Sequence, residues 1–116
     1  MMPSVNPQAE TPVFEIKAEL FKALAHPARI RALEVLAHGE RSVSELQPEV
    51  GIEPAHLSQQ LAVLRRAGLV VTRKEGTTVF YSIKDPQLVE LLGAARRLLI
   101  ASLSETRDLL AGLENG

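Results

Sequence analysis

Between Ser42 and Ile83 the hydrophobic period changes once, from helical to strand-like, and this order restricts the fold more than any other feature. Ser42 and Glu45 make an S-x-x-E capping-box pattern just ahead of an apolar face of Val43, Leu46 and Val50. Gly51 ends that helix, and Pro54 opens the next near its first turn, where a missing N–H does no harm. Leu57, Leu61 and Leu64 recur at i, i+4 and i+7 and are expected to point inward. Gly68 then suits the left-handed residue after a helix end. Leu69-Val70-Val71-Thr72 and the run from Thr77 to Ile83 are rich in β-type residues, with Glu75-Gly76 marking a turn between them. They predict two antiparallel strands joined by a loop longer than a two-residue turn. The fold class is mostly α with a small β-hairpin.

The flanks add three helices. Residues 1–11 are polar, with Pro3 and Pro7, and read as a flexible arm. Val13, Ile16, Leu20, Phe21 and Leu24 predict a helix from Pro12 or Val13 to about Ala25. Pro27 fits the first turn of the next, which runs to about Ala37, buries Ile30, Leu33 and Leu36, and stops at Gly39. Pro86 starts a long last helix reaching about Leu110. Its residues Leu88, Leu92, Ala95, Leu99, Ser102, Thr106, Leu109 and Leu113 are spaced alternately by four and three, a heptad-like seam. Leu91 and Leu98, then Leu103 and Leu110, widen the apolar arc. One side of such a helix can cover its own domain while the other meets a partner, since a monomer would leave much apolar surface in water. The alternative is burial wholly within one subunit. Phe14, Leu88, Leu92, Ala95, Leu99, Ser102 and Thr106 are the candidate dimer interface. A chain of 116 residues supports one core, expected over 12–111, with 112–116 as a tail.

Composition closes several routes. The chain has no cysteine, which removes disulfides, thiolate metal sites and thiol switches. No 18-residue apolar span predicts a membrane helix, and no basic stretch followed by an apolar core predicts a secretory signal, so a cytoplasmic location is expected. The net charge of −1 argues against nucleic acid, but its distribution argues for it. Residues 51–84 hold five Lys/Arg against two Glu, while both flanks are net acidic. A phosphate-facing surface needs only local positive potential.

A short helix, a tight connection and a second helix with a polar outer side make a helix-turn-helix arrangement. His56, Ser58, Gln59 and Gln60 lie on the first half of that second helix. Glutamine can pair with adenine through two hydrogen bonds, and serine is a less selective partner. Arg65 and Arg66, near its end, suit phosphates. Arg73 and Lys74 before Gly76, with Thr77 and Thr78 after it, could hold phosphates or enter the minor groove from a projecting loop. For each group the plainer alternative is a solvated polar face.

Three ordered stretches resemble the ArsR/SmtB family of bacterial winged-helix repressors. Phe21-Lys22-Ala23-Leu24-Ala25-His26-Pro27-Ala28-Arg29-Ile30-Arg31 is similar to its first helix junction. Residues 57–70, Leu57-Ser58-Gln59-Gln60 onward, resemble its recognition helix. Arg73-Lys74-Glu75-Gly76 followed by Val79-Phe80-Tyr81-Ser82-Ile83 resembles its wing. The resemblance spans roughly residues 13–103. It implies a homodimer built by the first and last helices, a two-fold symmetric operator, and repression relieved by an effector.

The metal sites of many relatives are not matched. Ser42 and Ser44 stand where one class carries cysteines, and no histidine lies beyond His56 to complete a site across the last helices. His26, His38 and His56 are the remaining imidazoles, weak candidates for nickel or zinc. His26 is expected to cap or pack near Pro27, and His38 sits at a helix end where a cation is favoured. No cofactor is predicted, and a small-molecule effector or regulatory protein partner is the expected signal. With no cysteine nucleophile, HExxH or glycine-rich phosphate loop, no enzyme is expected. An accessory protein acting mainly through protein contacts, or a metal sensor with a non-canonical site, is the alternative function.

Overall fold

The computed structural model describes residues 11–115, so all but Thr11 of the expected N-terminal arm lies outside the described residues. The chain divides into two compact units, one ending at Lys84 and one starting at Asp85. The first contains α1 (Val13–Leu24), α2 (Pro27–Leu36), β1 (Arg41–Ser42), α3 (Val43–Val50), α4 (Pro54–Arg66), β2 (Val70–Glu75) and β3 (Thr78–Ile83). The second is α5 (Pro86–Asn115).

Local signals set the helix ends. His26 Nδ1 accepts from the Ala28 N–H at 3.0 Å, capping α2 ahead of Pro27 as the sequence suggested. Ser42 forms both halves of the capping box: its hydroxyl accepts from the Glu45 N–H at 3.3 Å, and its own N–H donates to Glu45 Oε1 at 3.1 Å. The Ser42 N–H first, and then the Ser42 hydroxyl, which also donates to Glu45 Oε1 at 3.0 Å, hold the Glu45 carboxyl below its ordinary range. Gly51 ends α3 with φ 80°, a backbone shape that side chains rarely tolerate.

The interior of the first unit is made by Leu33 from α2, Leu46 from α3, Leu57, Leu61 and Leu64 from α4, and Val70 from β2, all fully buried. Their apolar contacts fix α4 through one side only. The sheet order is β1-β3-β2, antiparallel throughout. The two-residue β1 was not expected, because two residues carry no readable period.

The hairpin corrects the expected long loop. Glu75 pairs with Thr78, leaving Gly76-Thr77 as a two-residue turn. Gly76 has φ 62°, and no described non-glycine residue has positive φ, which fits a type II′ hairpin. Arg73 and Lys74 therefore stand in the ladder, opposite Phe80 and Val79.

The helix α5 has 30 residues, about 45 Å at the standard rise. It continues through residues expected to form a tail. Gly112 does not stop it, because one helical glycine costs only about 1 kcal/mol and its neighbours Ala111, Leu113 and Glu114 favour helix. Leu98, Leu99, Ile100, Leu103, Leu109, Leu110 and Leu113 are exposed. Leu88 corrects the interface reading: at 7% exposure it has little surface left to give a partner. Leu92 is half-buried, while Ala95, Leu99, Ser102 and Thr106 are exposed, as is Phe14 on α1. The Thr106 hydroxyl donates to the Ser102 carbonyl at 3.0 Å, so that polar step satisfies itself within the helix. Among the described residues no helix is long and apolar enough to cross a membrane.

Candidate nucleic-acid interface

With three leucines turned inward, α4 leaves His56, Ser58 and Gln59 exposed on its first half and Arg65 and Arg66 on its last turn. Gln60 departs from the expectation. Only 8% exposed, it has little surface to offer a base edge. Its position explains this: three residues after Leu57 and one before Leu61, it borders the leucine arc on the Leu64 side.

A residue not anticipated as functional holds it there. Arg29 of α2 donates from Nη1 to Gln60 Oε1 at 2.7 Å. Its Nε donates to the Ala23 carbonyl at 2.7 Å and its Nη2 to the Lys22 carbonyl at 3.3 Å. These carbonyls belong to the last turn of α1, where a cation is electrostatically favoured. One guanidinium thus ties the end of α1 to α4. No spacing pattern foretells it, since two of its partners are backbone oxygens. Gln60 Nε2 lies 3.1 Å from His56 Nε2, and the rings of His26 and His56 meet edge-on, 6.0 Å between centroids.

The hairpin is less basic than its sequence. Arg73 is held by Glu40, with Nη2 2.7 Å and Nε 2.8 Å from its carboxylate, and by Glu75 at 2.9 Å from Nη1. Its guanidinium also lies 4.6 Å from the centre of the Phe80 ring. Hydrogen bonds to Glu40, then to Glu75, raise its already high pKa. Arg73 is therefore a strut between β2 and the loop before β1, with its charge compensated, rather than a free phosphate contact. Lys74 is exposed and has no ion pair among the described residues, and Thr77 and Thr78 are exposed at the tip.

His38 lies apart from the other two histidines in role, lining an open cleft of about 500 Å³ with Arg31, Glu34, Arg41 and Glu49. A second cleft of about 490 Å³ runs along Ile16, Leu20, Ala23, Val63 and Ala67, with Arg29 and Lys22 on its wall. Among the described residues no three His, Asp or Glu side chains come together where they could hold a metal ion.

Residues 26–72 match the family described as bacterial regulatory protein, arsR family. The chain is 51% identical over 106 residues to the HTH-type transcriptional regulator Rv0081 of Mycobacterium tuberculosis, covering 90% of this chain and 93% of the relative. The chain belongs to the arsR family of bacterial regulatory proteins. It is a winged helix-turn-helix, DNA-binding transcriptional regulator, in which α3 and α4 are the helix pair and the β2–β3 hairpin is the wing. The crystal structure of the M. tuberculosis protein superposes with a TM-score of 0.75 at 52% identity, over 83% of this chain and 97% of that one. The biofilm growth-associated repressor of Agrobacterium fabrum is 44% identical over 84 residues, 72% of each chain. A solution structure from Mycobacterium bovis, described as a homodimeric winged helix-turn-helix DNA-binding domain, gives a TM-score of 0.73 at 28% identity, covering 90% of this chain and 95% of that one.

Proposed function

We propose that this arsR-family regulator acts as a homodimer that represses transcription from a two-fold symmetric operator. An effector or a regulatory protein partner releases it, and it works beside the bacterial chromosome in the cytoplasm. The observation that carries this reading is α4, anchored by buried leucines on one side and presenting His56, Ser58 and Gln59 on the other. Side chains so placed can reach base edges in a major groove, while Arg65, Arg66, Lys74, Thr77 and Thr78 supply phosphate contacts.

The second copy is supported by unpartnered apolar surface: Val13, Phe14, Ile16 and Phe21 on α1, and seven residues from Leu98 to Leu113 on α5. That is more apolar surface than a lone subunit of this size usually leaves in water. The M. bovis relative is described as homodimeric and the A. fabrum relative as a repressor, in keeping with this reading. Two-fold symmetry sets the half-sites about 34 Å apart, one turn of the duplex.

The purified full chain, offered a random pool of duplexes at moderate salt, tests this. Enrichment of a palindrome with half-sites about one turn apart is expected. Enrichment only when cell extract is added would instead favour an accessory role dependent on another protein. No enrichment under either condition would refute operator binding.

A further inference from the structure

The side chains behind His56 decide what it can offer at the surface. Arginine is only a donor, so the atom of Gln60 facing Arg29 Nη1 at 2.7 Å must be the carbonyl Oε1. The opposite end of that amide, 3.1 Å from His56 Nε2, is then the NH2 group. An amide NH2 can only donate, so His56 Nε2 accepts. A neutral imidazole accepting at Nε2 carries its proton on Nδ1. We propose that Arg29, acting through Gln60, fixes the tautomer of His56, so that the exposed ring offers an Nδ1–H donor to a hydrogen-bond acceptor on DNA.

The relay is well constrained. Gln60 is buried, so its amide cannot exchange freely with water, and flipping it would set NH2 against the guanidinium. Arg29 stays charged and is pinned by two carbonyls of α1. His26 does not compete for the Gln60 N–H groups, since its Nδ1 accepts in capping α2 and its Nε2 is therefore a donor. His56 Nδ1 has no hydrogen-bond partner among the described residues, and His56 is exposed in the first turn of α4. Arg29 and Gln60 are positioning residues, and His56 is the group that touches DNA. The DNA half rests on the operator reading above, whereas the tautomer half concerns the free protein.

Nitrogen-15 spectra of the histidines in the free full-length protein, taken at about pH 8.5 where ordinary imidazoles are neutral, test the tautomer. Wild type is expected to show His56 protonated at Nδ1. Gln60→Glu keeps an acceptor for Arg29 but turns an acceptor toward His56, and is expected to move the proton to Nε2. Gln60→Met removes the donor without adding charge, and a mixed tautomer is expected.

On the duplex that wild type selects, His56→Ala is expected to weaken binding about fivefold, the worth of one ordinary hydrogen bond. Gln60→Glu is expected to cost at least as much, yet much less when His56 is already alanine. Equal losses on selected and random duplexes identify a phosphate oxygen as the acceptor, and a loss confined to the selected duplex identifies a base edge. A wild-type Nε2–H tautomer, additive losses, or a His56→Ala loss under about twofold would overturn the proposal. If wild type selects no duplex, the operator reading and the DNA half fall together, and the spectra still judge the relay.

Discussion

The helices α4 and α5 are both leucine-rich, yet their leucines meet opposite fates. In α4, Leu57, Leu61 and Leu64 are fully buried, whereas in α5, Leu98, Leu99, Leu103, Leu109, Leu110 and Leu113 are exposed. The difference is one of arc. The apolar residues of α4 form a narrow stripe that its own unit covers, which leaves the other face polar. Those of α5 spread round the helix, and a single chain leaves most of them in water. We propose that the leucines of α4 act on the stability of the subunit, and those of α5 on association.

Substitutions can break that contrast. Leu99→Glu should have the largest effect. A symmetric interface contains the change twice, which puts the loss on the order of 4 kcal/mol of dimer stability. Sedimentation should find folded monomers, and an unchanged dimer would remove Leu99 from the interface. Leu61→Ala should instead cost about 3 kcal/mol of folding stability, read by denaturant titration, through a cavity in the first unit. A smaller loss than that of an exposed α5 leucine would erase the distinction. On the polar face of α4, Gln59→Ala should lower discrimination between selected and random duplexes by about 1.5 kcal/mol, measured by mobility shift.

Smaller effects sharpen the picture within the first unit. Ser42→Ala should cost about 1 kcal/mol by removing the hydroxyl half of the capping box. The sign of its pH dependence follows from Glu45, whose folded pKa is depressed first by the Ser42 N–H, which alanine keeps, and then by the Ser42 hydroxyl, which it loses. That contribution is present above the ordinary carboxylate pKa and is lost as pH falls through the folded value. The deficit of the variant should shrink in acid, and denaturation curves across that range check it. Smallest is the contrast between two neighbouring cations. Lys74→Ala should reduce the salt slope of DNA binding by about one unit, while Arg73→Ala should change it less, because Glu40 and Glu75 already compensate that charge.

The sequence revealed what has a period or a local chemical signature. The i, i+4, i+7 leucines, the Ser42–Glu45 box, the Pro27 and Pro54 helix starts, the helix end at Gly51 and the left-handed Gly68 all stand where that reasoning put them. Gln60 was read by its chemistry as outward, although its position three residues after Leu57 put it at the border of the inward leucine arc. The pairing of Arg73 with Glu75 was legible too, since residues two apart in a strand share a face. Its bond to Glu40 was not, because 33 residues separate them. Arg29 left no trace either: it works through two backbone oxygens and one distant amide.

Cleavage protection by hydroxyl radicals, with the full chain bound to its selected duplex, tests the central claim most directly. An outward α4 carried by each of two related subunits predicts two protected patches on one face, about 34 Å apart and related by a dyad. A single patch, or protection that ignores sequence and winds evenly around the duplex, would contradict it.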